Sequence, residues 1–122
     1  MKRFDTIVIA TYRACLLLAF AAGFAATARA DAYCSGTVQQ YYVQDDGMLV
    51  IRSSWRNDWT ALCSMQNPWR TVSTEACYAW LGTVTTAKIN NKTVGAYYIG
   101  NYDCTTLASY GNAPAPLYFR ME

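Results

Sequence analysis

Asp45, Asp46, Asp58 and Asp103 are carboxylates whose type could support acid–base chemistry. Two carboxylates flanking a bond would serve a glycoside hydrolase. All four stand in segments that read as turns or loops, however, where Asp bonds its own backbone. The chain has no histidine, which removes Ser-His-Asp and Cys-His nucleophiles and histidine-bound metals. Neither Lys88 nor Lys92 has the SxxK-like context of serine–lysine catalysis, and no Gly-rich phosphate loop follows a strand. No catalytic residue, metal site or cofactor is expected.

Aromatic side chains are the abundant resource. Nine tyrosines lie beyond residue 30, with Trp55, Trp59, Trp69 and Trp80. Tyr and Trp combine a large contact area with a polar handle, as sugar and protein recognition require. Trp80 and Tyr98 read as core. Trp69, Tyr102 and Tyr110 fall in loops and are candidates for display. Arg52, Arg56, Asn57 and Asp58, on and beside the tip between Trp55 and Trp59, complete the candidate ligand-binding set.

The first 30 residues set the compartment. Lys2, Arg3 and Arg13 precede or open an apolar run, Ala14 to Ala26, and Ala28-Arg29-Ala30 fits a signal-peptidase site. Residues 1–30 are therefore expected to be a secretory signal peptide and residues 31–122 a single domain, secreted or periplasmic. Removal takes four bases and one acid from a chain of formal charge +2, leaving −1. No basic cluster remains, so neither nucleic acid nor membrane insertion after cleavage is expected. Four cysteines also remain, Cys34, Cys63, Cys77 and Cys104, with no CxxC spacing. An even set in a small exported domain implies two disulfides.

The elements follow from periodicity. Residues 36–44 read as a strand, 45–47 as a hairpin turn, 48–55 as a second strand, 56–58 as a tight turn and 59–65 as a third strand. A three-residue turn at 56–58 sets Trp55 opposite Trp59, with Ile51 and Cys63 on the same inward face. Val50, Arg52, Ser54, Thr60, Leu62 and Ser64 would then face outward. A three-residue turn at 45–47 puts Tyr41 and Val43 inward. Ser73 caps a helix whose apolar stripe is Cys77, Trp80, Leu81, Val84 and Ala87, ended by Asn90-Asn91. Residues 93–99 and 117–121 are the last strands, separated by a long loop. The fold class is mainly β with one helix: a small OB-like five-stranded antiparallel barrel of order β-β-β-α-β-β. Cys63 points to the interior that the helix covers, so Cys63–Cys77 and Cys34–Cys104 are the expected bridges.

Cys34 and Gly36 at the entry to the first strand, Trp59-Thr60-Ala61-Leu62-Cys63, and Cys77, Trp80, Leu81, Thr86 and Ala87 at their helical spacings resemble small exported bacterial proteins of unassigned function. The element order with two disulfides also resembles, in topology, the OB-fold binding subunits of pentameric bacterial toxins. That resemblance implies glycan binding and homo-oligomerisation. The expectation is an exported, non-enzymatic binding module that recognises a cell-surface glycan. The alternative is a periplasmic structural or inhibitor-type protein that binds another protein.

Overall fold

The computed structural model describes residues 30–122, so the expected signal peptide, apart from Ala30, lies outside the described residues. Five antiparallel strands and one helix follow in the order β1 (Ala32–Val43), β2 (Met48–Ser53), β3 (Trp59–Ser64), α1 (Thr74–Ile89), β4 (Thr93–Tyr98) and β5 (Tyr118–Met121). The sheet order is β3-β2-β1-β4-β5. β3 and β5 are its two ends and do not pair with each other, so the sheet is open rather than closed into a barrel.

β1 starts four residues earlier than periodicity suggested because it serves two partners. Ala32–Thr37 pair with β4, and Val38–Val43 pair with β2, with an irregularity between Val38 and Gln40. The first hairpin has the expected register, with Tyr41 opposite Ile51 and Val43 opposite Leu49, but Val43, at the strand's end, is exposed rather than inward and Tyr41 is half-buried. Gly47 makes the turn possible at φ 83°.

The second hairpin departs from expectation. Arg52, not Trp55, is opposite the start of β3 at Trp59. Leu49 pairs with Cys63 and Val50 with Ala61, so Leu62 is an extra, bulged residue. A bulge lets neighbouring residues share a side, and both Leu62 and Cys63 enter the core. Trp59 shares the opposite face with its partner Arg52, and its ring meets Tyr42 edge-on at 4.9 Å. Trp55 lies in the connecting turn, half-buried against the core. The proposed Trp55–Trp59 pair therefore does not form. The outward face expected from Val50, Thr60, Leu62 and Ser64 does not form either, since all four are buried.

α1 begins as expected. Ser73 Oγ accepts from the Ala76 N–H at 3.2 Å, Glu75 sits in the first turn and Lys88 in the last. At the other end Asn90 donates its N–H to the Thr86 carbonyl at 3.0 Å, and Asn91 takes a left-handed φ of 52°. Cys77, Val84 and Ala87 are buried on the sheet, with Trp80 and Leu81 partly covered. The ring of Trp80 lies 6.1 Å from that of Phe119 in β5. Cys63–Cys77 ties β3 to α1, and Cys34–Cys104 ties β1 to the segment after β4. Both bridges are those expected, and paired cysteines of this kind persist in an oxidising compartment. Among the described residues no helix is long and apolar enough to cross a membrane.

Candidate functional site

Residues 99–117 join β4 to β5 without a strand or helix of their own. A connection of this length in a small domain is commonly functional or disordered. Here it is held at several points. Cys104 is bonded to Cys34, and Leu107 is buried in the core. Tyr110 lies along β3, donating its N–H to the Trp59 carbonyl at 2.7 Å and accepting from the Ala61 N–H at 3.1 Å. The β2–β3 turn grips the same segment. Arg56 Nε donates to the Leu107 carbonyl at 2.6 Å, and Ser109 Oγ donates to Asp58 Oδ2 at 2.5 Å. Asp58 Oδ1 also accepts from the Trp59 N–H at 2.7 Å. These bonds, that from Ser109 foremost, hold the Asp58 carboxyl below its usual range.

The held loop encloses a cleft of about 360 Å³. Its walls carry Arg70, Asn101, Tyr102, Asp103, Thr106 and Asn112, with Leu107 and Pro114 as apolar surface. Asp103 is fixed by accepting from the Thr105 N–H and hydroxyl at 2.8 and 2.7 Å, which lowers its pKa. The Tyr102 ring leans edge-on against buried Tyr98 at 6.3 Å. Arg70 lies over the Trp69 ring at 4.8 Å and donates from Nη2 to the Gly111 carbonyl at 3.2 Å.

Backbone strain gathers at the same place. Arg70 and Tyr110 adopt φ of 53° and 50°, the left-handed region. Outside Gly and Asn that region costs about 1–2 kcal/mol. Arg70 opens a two-residue turn between Trp69 and Val72, whose main chains bond reciprocally, and glycine usually takes such a position. Two left-handed backbones, one on the cleft wall at Arg70 and one on the loop that forms it at Tyr110, make this a candidate functional place.

The candidate residues from the sequence thus separate. Tyr102 lines the cleft, Trp69 backs its Arg70, and Tyr110 sits on the loop that forms it. Arg56 and Asp58 anchor that loop. Arg52 and Asn57 bond each other at 3.2 Å and do not line the cleft. Arg70, Asn101, Thr106 and Asn112 are not among the residues the sequence singles out, and Asp103 reads there only as a turn former. For Asn101, Asp103, Thr106 and Asn112 the one visible signal is their place in the long loop around Cys104, and Arg70 has none.

A second surface also went unread. On the outer side of the sheet, Tyr33, Tyr97 and Tyr118 stand in one row across β1, β4 and β5. The rings of Tyr97 and Tyr118 stack at 5.2 Å, worth about 0.5–1.5 kcal/mol. Tyr33 leans over Gly95, where a Cβ would meet its hydroxyl at 2.1 Å, and bonds Glu122. Ser35 donates to Glu122 at 2.6 Å, and Arg120 Nη2 donates to the Tyr33 hydroxyl at 3.0 Å. Tyr97 donates to Asp31, which also accepts from the Gly100 N–H at 3.0 Å. Alternation in Thr93–Tyr98 and Tyr118–Glu122 was the available sign of this face.

Comparison with known proteins finds no matching family model, no matching curated protein and no matching solved structure.

Proposed function

We propose that this chain is an exported, non-enzymatic binding module with an OB-like architecture, recognising a glycan in the cleft of the 99–117 loop. What carries the reading is the lining of that cleft. Amides, a hydroxyl, a carboxylate and a guanidinium surround a volume of about 360 Å³, and a tyrosine ring borders it. A sugar offers hydroxyls to such groups and apolar C–H faces to such a ring. The strain kept at Arg70 and Tyr110 supports the same place. The sheet order and a first strand divided between two partners support the OB-like assignment, as does the resemblance to toxin-binding subunits. Export rests on the leader pattern and agrees with two disulfides.

The test is a glycan array probed with labelled residues 31–122. Saturable binding to a defined sugar is expected. Tyr102→Ala or Asn101→Ala should weaken it about tenfold, the loss of roughly one well-placed contact. Silence across the array contradicts the reading.

A second reading has its own observation. The row of exposed Tyr33 and Tyr118 with half-buried Tyr97 between them and exposed Arg120 beside them has the composition of a protein-binding patch. It favours a periplasmic inhibitor-type or structural partner protein, and a pull-down lost in Tyr118→Ala but kept in Tyr102→Ala would select it.

A further inference from the structure

The outer edge of β5 is unpaired among the described residues, whereas the outer edge of β3 is taken by Tyr110. An open strand edge is a template for another strand unless charge, proline or a covering segment blunts it. The Glu122 N–H donates to the Thr93 carbonyl at 2.8 Å. By the alternation of an antiparallel ladder, Tyr118 and Arg120 turn their backbone groups toward β4 in the same way. Phe119 and Met121 therefore present theirs to the open side. Around this edge lie Ile99, Leu117, Tyr118 and Met121, four of the chain's exposed large hydrophobic residues. Ile99 and Leu117 also line a shallow cavity of about 330 Å³ with Thr71 and Ala115.

We infer that β5 pairs antiparallel with β5 of a second copy, about a two-fold axis at Phe119, so that one sheet runs through both molecules. The strand is self-complementary in this register. Phe119 exchanges both main-chain bonds with its counterpart, and each Met121 N–H meets the other copy's Leu117 carbonyl, while the Leu117 N–H stays with the Tyr97 carbonyl of its own copy at 2.7 Å. On the outer face each Tyr118 stands opposite Arg120 of the other copy, a cation over an aromatic ring. Arg120 already lies 5.9 Å from the Tyr118 ring within one copy, so the side chain has the reach. Leu117 and Met121, both exposed in the single copy, cover each other. Centring the axis on Arg120 instead would set like charges face to face, which is unfavourable.

The proposed pairing uses no residue that lines the glycan cleft, although Ile99 and Leu117 are the ends of the loop that forms it. Interfaces below about 1,200 Å² are weak, so light scattering of residues 31–122 should run from about ten micromolar to about one millimolar. The weight-average mass is expected to approach twice the monomer value. Met121→Pro removes an outward donor without touching the β4 ladder. It should stay monomeric with an unchanged melting curve, and Met121→Lys provides the same test if proline perturbs folding. Mixed Leu117→Cys and Met121→Cys variants should join through a short thiol crosslinker, and neither should do so alone. A wild type that is monomeric throughout overturns the inference and leaves the edge to a strand of another protein. A dimer that survives in both folded Met121 variants overturns it as well.

Discussion

The two edges of this sheet are finished in different ways. At β3, residues 99–117 return across the molecule, place Tyr110 along the strand and enclose a polar cleft. At β5 no described segment returns, and the strand keeps free backbone groups among exposed apolar side chains. One edge is closed at the expense of strain and a covalent tie, and it gains a concavity. The other carries no left-handed residue and stays open. Concave polar ground suits a small ligand. An open edge suits another strand.

The largest effect should come from cutting the tie on the closed side. Cys34–Cys104 spans 70 residues and Cys63–Cys77 only 14. Chain entropy then assigns about 4 kcal/mol to the first and about 3 to the second. The Cys34→Ala/Cys104→Ala double variant should lose more in urea unfolding than Cys63→Ala/Cys77→Ala. It should also lose the cleft while keeping β5 self-association. Equal losses would mean that the long loop is held by its other anchors alone.

A smaller effect has the opposite sign. Tyr110→Gly relieves a left-handed φ and should raise stability by up to about 1 kcal/mol while weakening ligand binding. A variant both less stable and fully competent to bind would remove strain from the account. Smaller still is Thr60→Val. The Thr60 hydroxyl is buried without a protein partner, as are Ser53 Oγ, Trp55 Nε1 and Arg52 Nε nearby in sequence. Replacing such a group by an isosteric methyl is neutral or gains up to about 1 kcal/mol. A clear loss in thermal unfolding would show that the hydroxyl is satisfied.

Acid should affect both sides together. Asp58 and Asp103 on the loop side, and Asp31 and Glu122 on the tyrosine side, all have lowered pKa values through hydrogen bonds. Such groups contribute stability above their ordinary values of 3.8 and 4.5, and that contribution is lost as pH falls through the folded-state values. Melting temperature should therefore hold from neutrality to about pH 5 and fall below it. Burial raises the Tyr98 hydroxyl well above 10.0, so stability present at neutrality should fall again once pH exceeds that value. A profile flat in acid would contradict these bonds.

Much of the frame was legible from residue order. Ser73 and the stripe from Cys77 to Ala87 announced the helix, Asp45-Asp46-Gly47 the first hairpin, and the direction of Cys63 the disulfide pairing. These are local signals that tertiary structure left in place. The second hairpin misled for two reasons: β2 ends at Ser53, so the connection to Trp59 is longer than residues 56–58 and brings Arg52 rather than Trp55 opposite Trp59, and the bulged Leu62 then brings Leu62 and Cys63 to the same side, which a strict period of two cannot anticipate. The cleft was hidden for another reason. Its residues come from a turn at Arg70 and a loop with no period, brought together by the disulfide, by Leu107 and by Tyr110. Tyr102 and Tyr110 were visible as loop aromatics, but their polar neighbours carried no pattern.

Amide chemical-shift mapping of residues 31–122, titrated with glucose, galactose, N-acetylglucosamine, N-acetylgalactosamine and sialic acid, tests the central claim most directly. The account predicts saturable shifts confined to Arg70, residues 101–108 and Asn112 for at least one of these sugars. Shifts centred on Tyr33, Tyr97 and Tyr118, or none with any sugar, would contradict it.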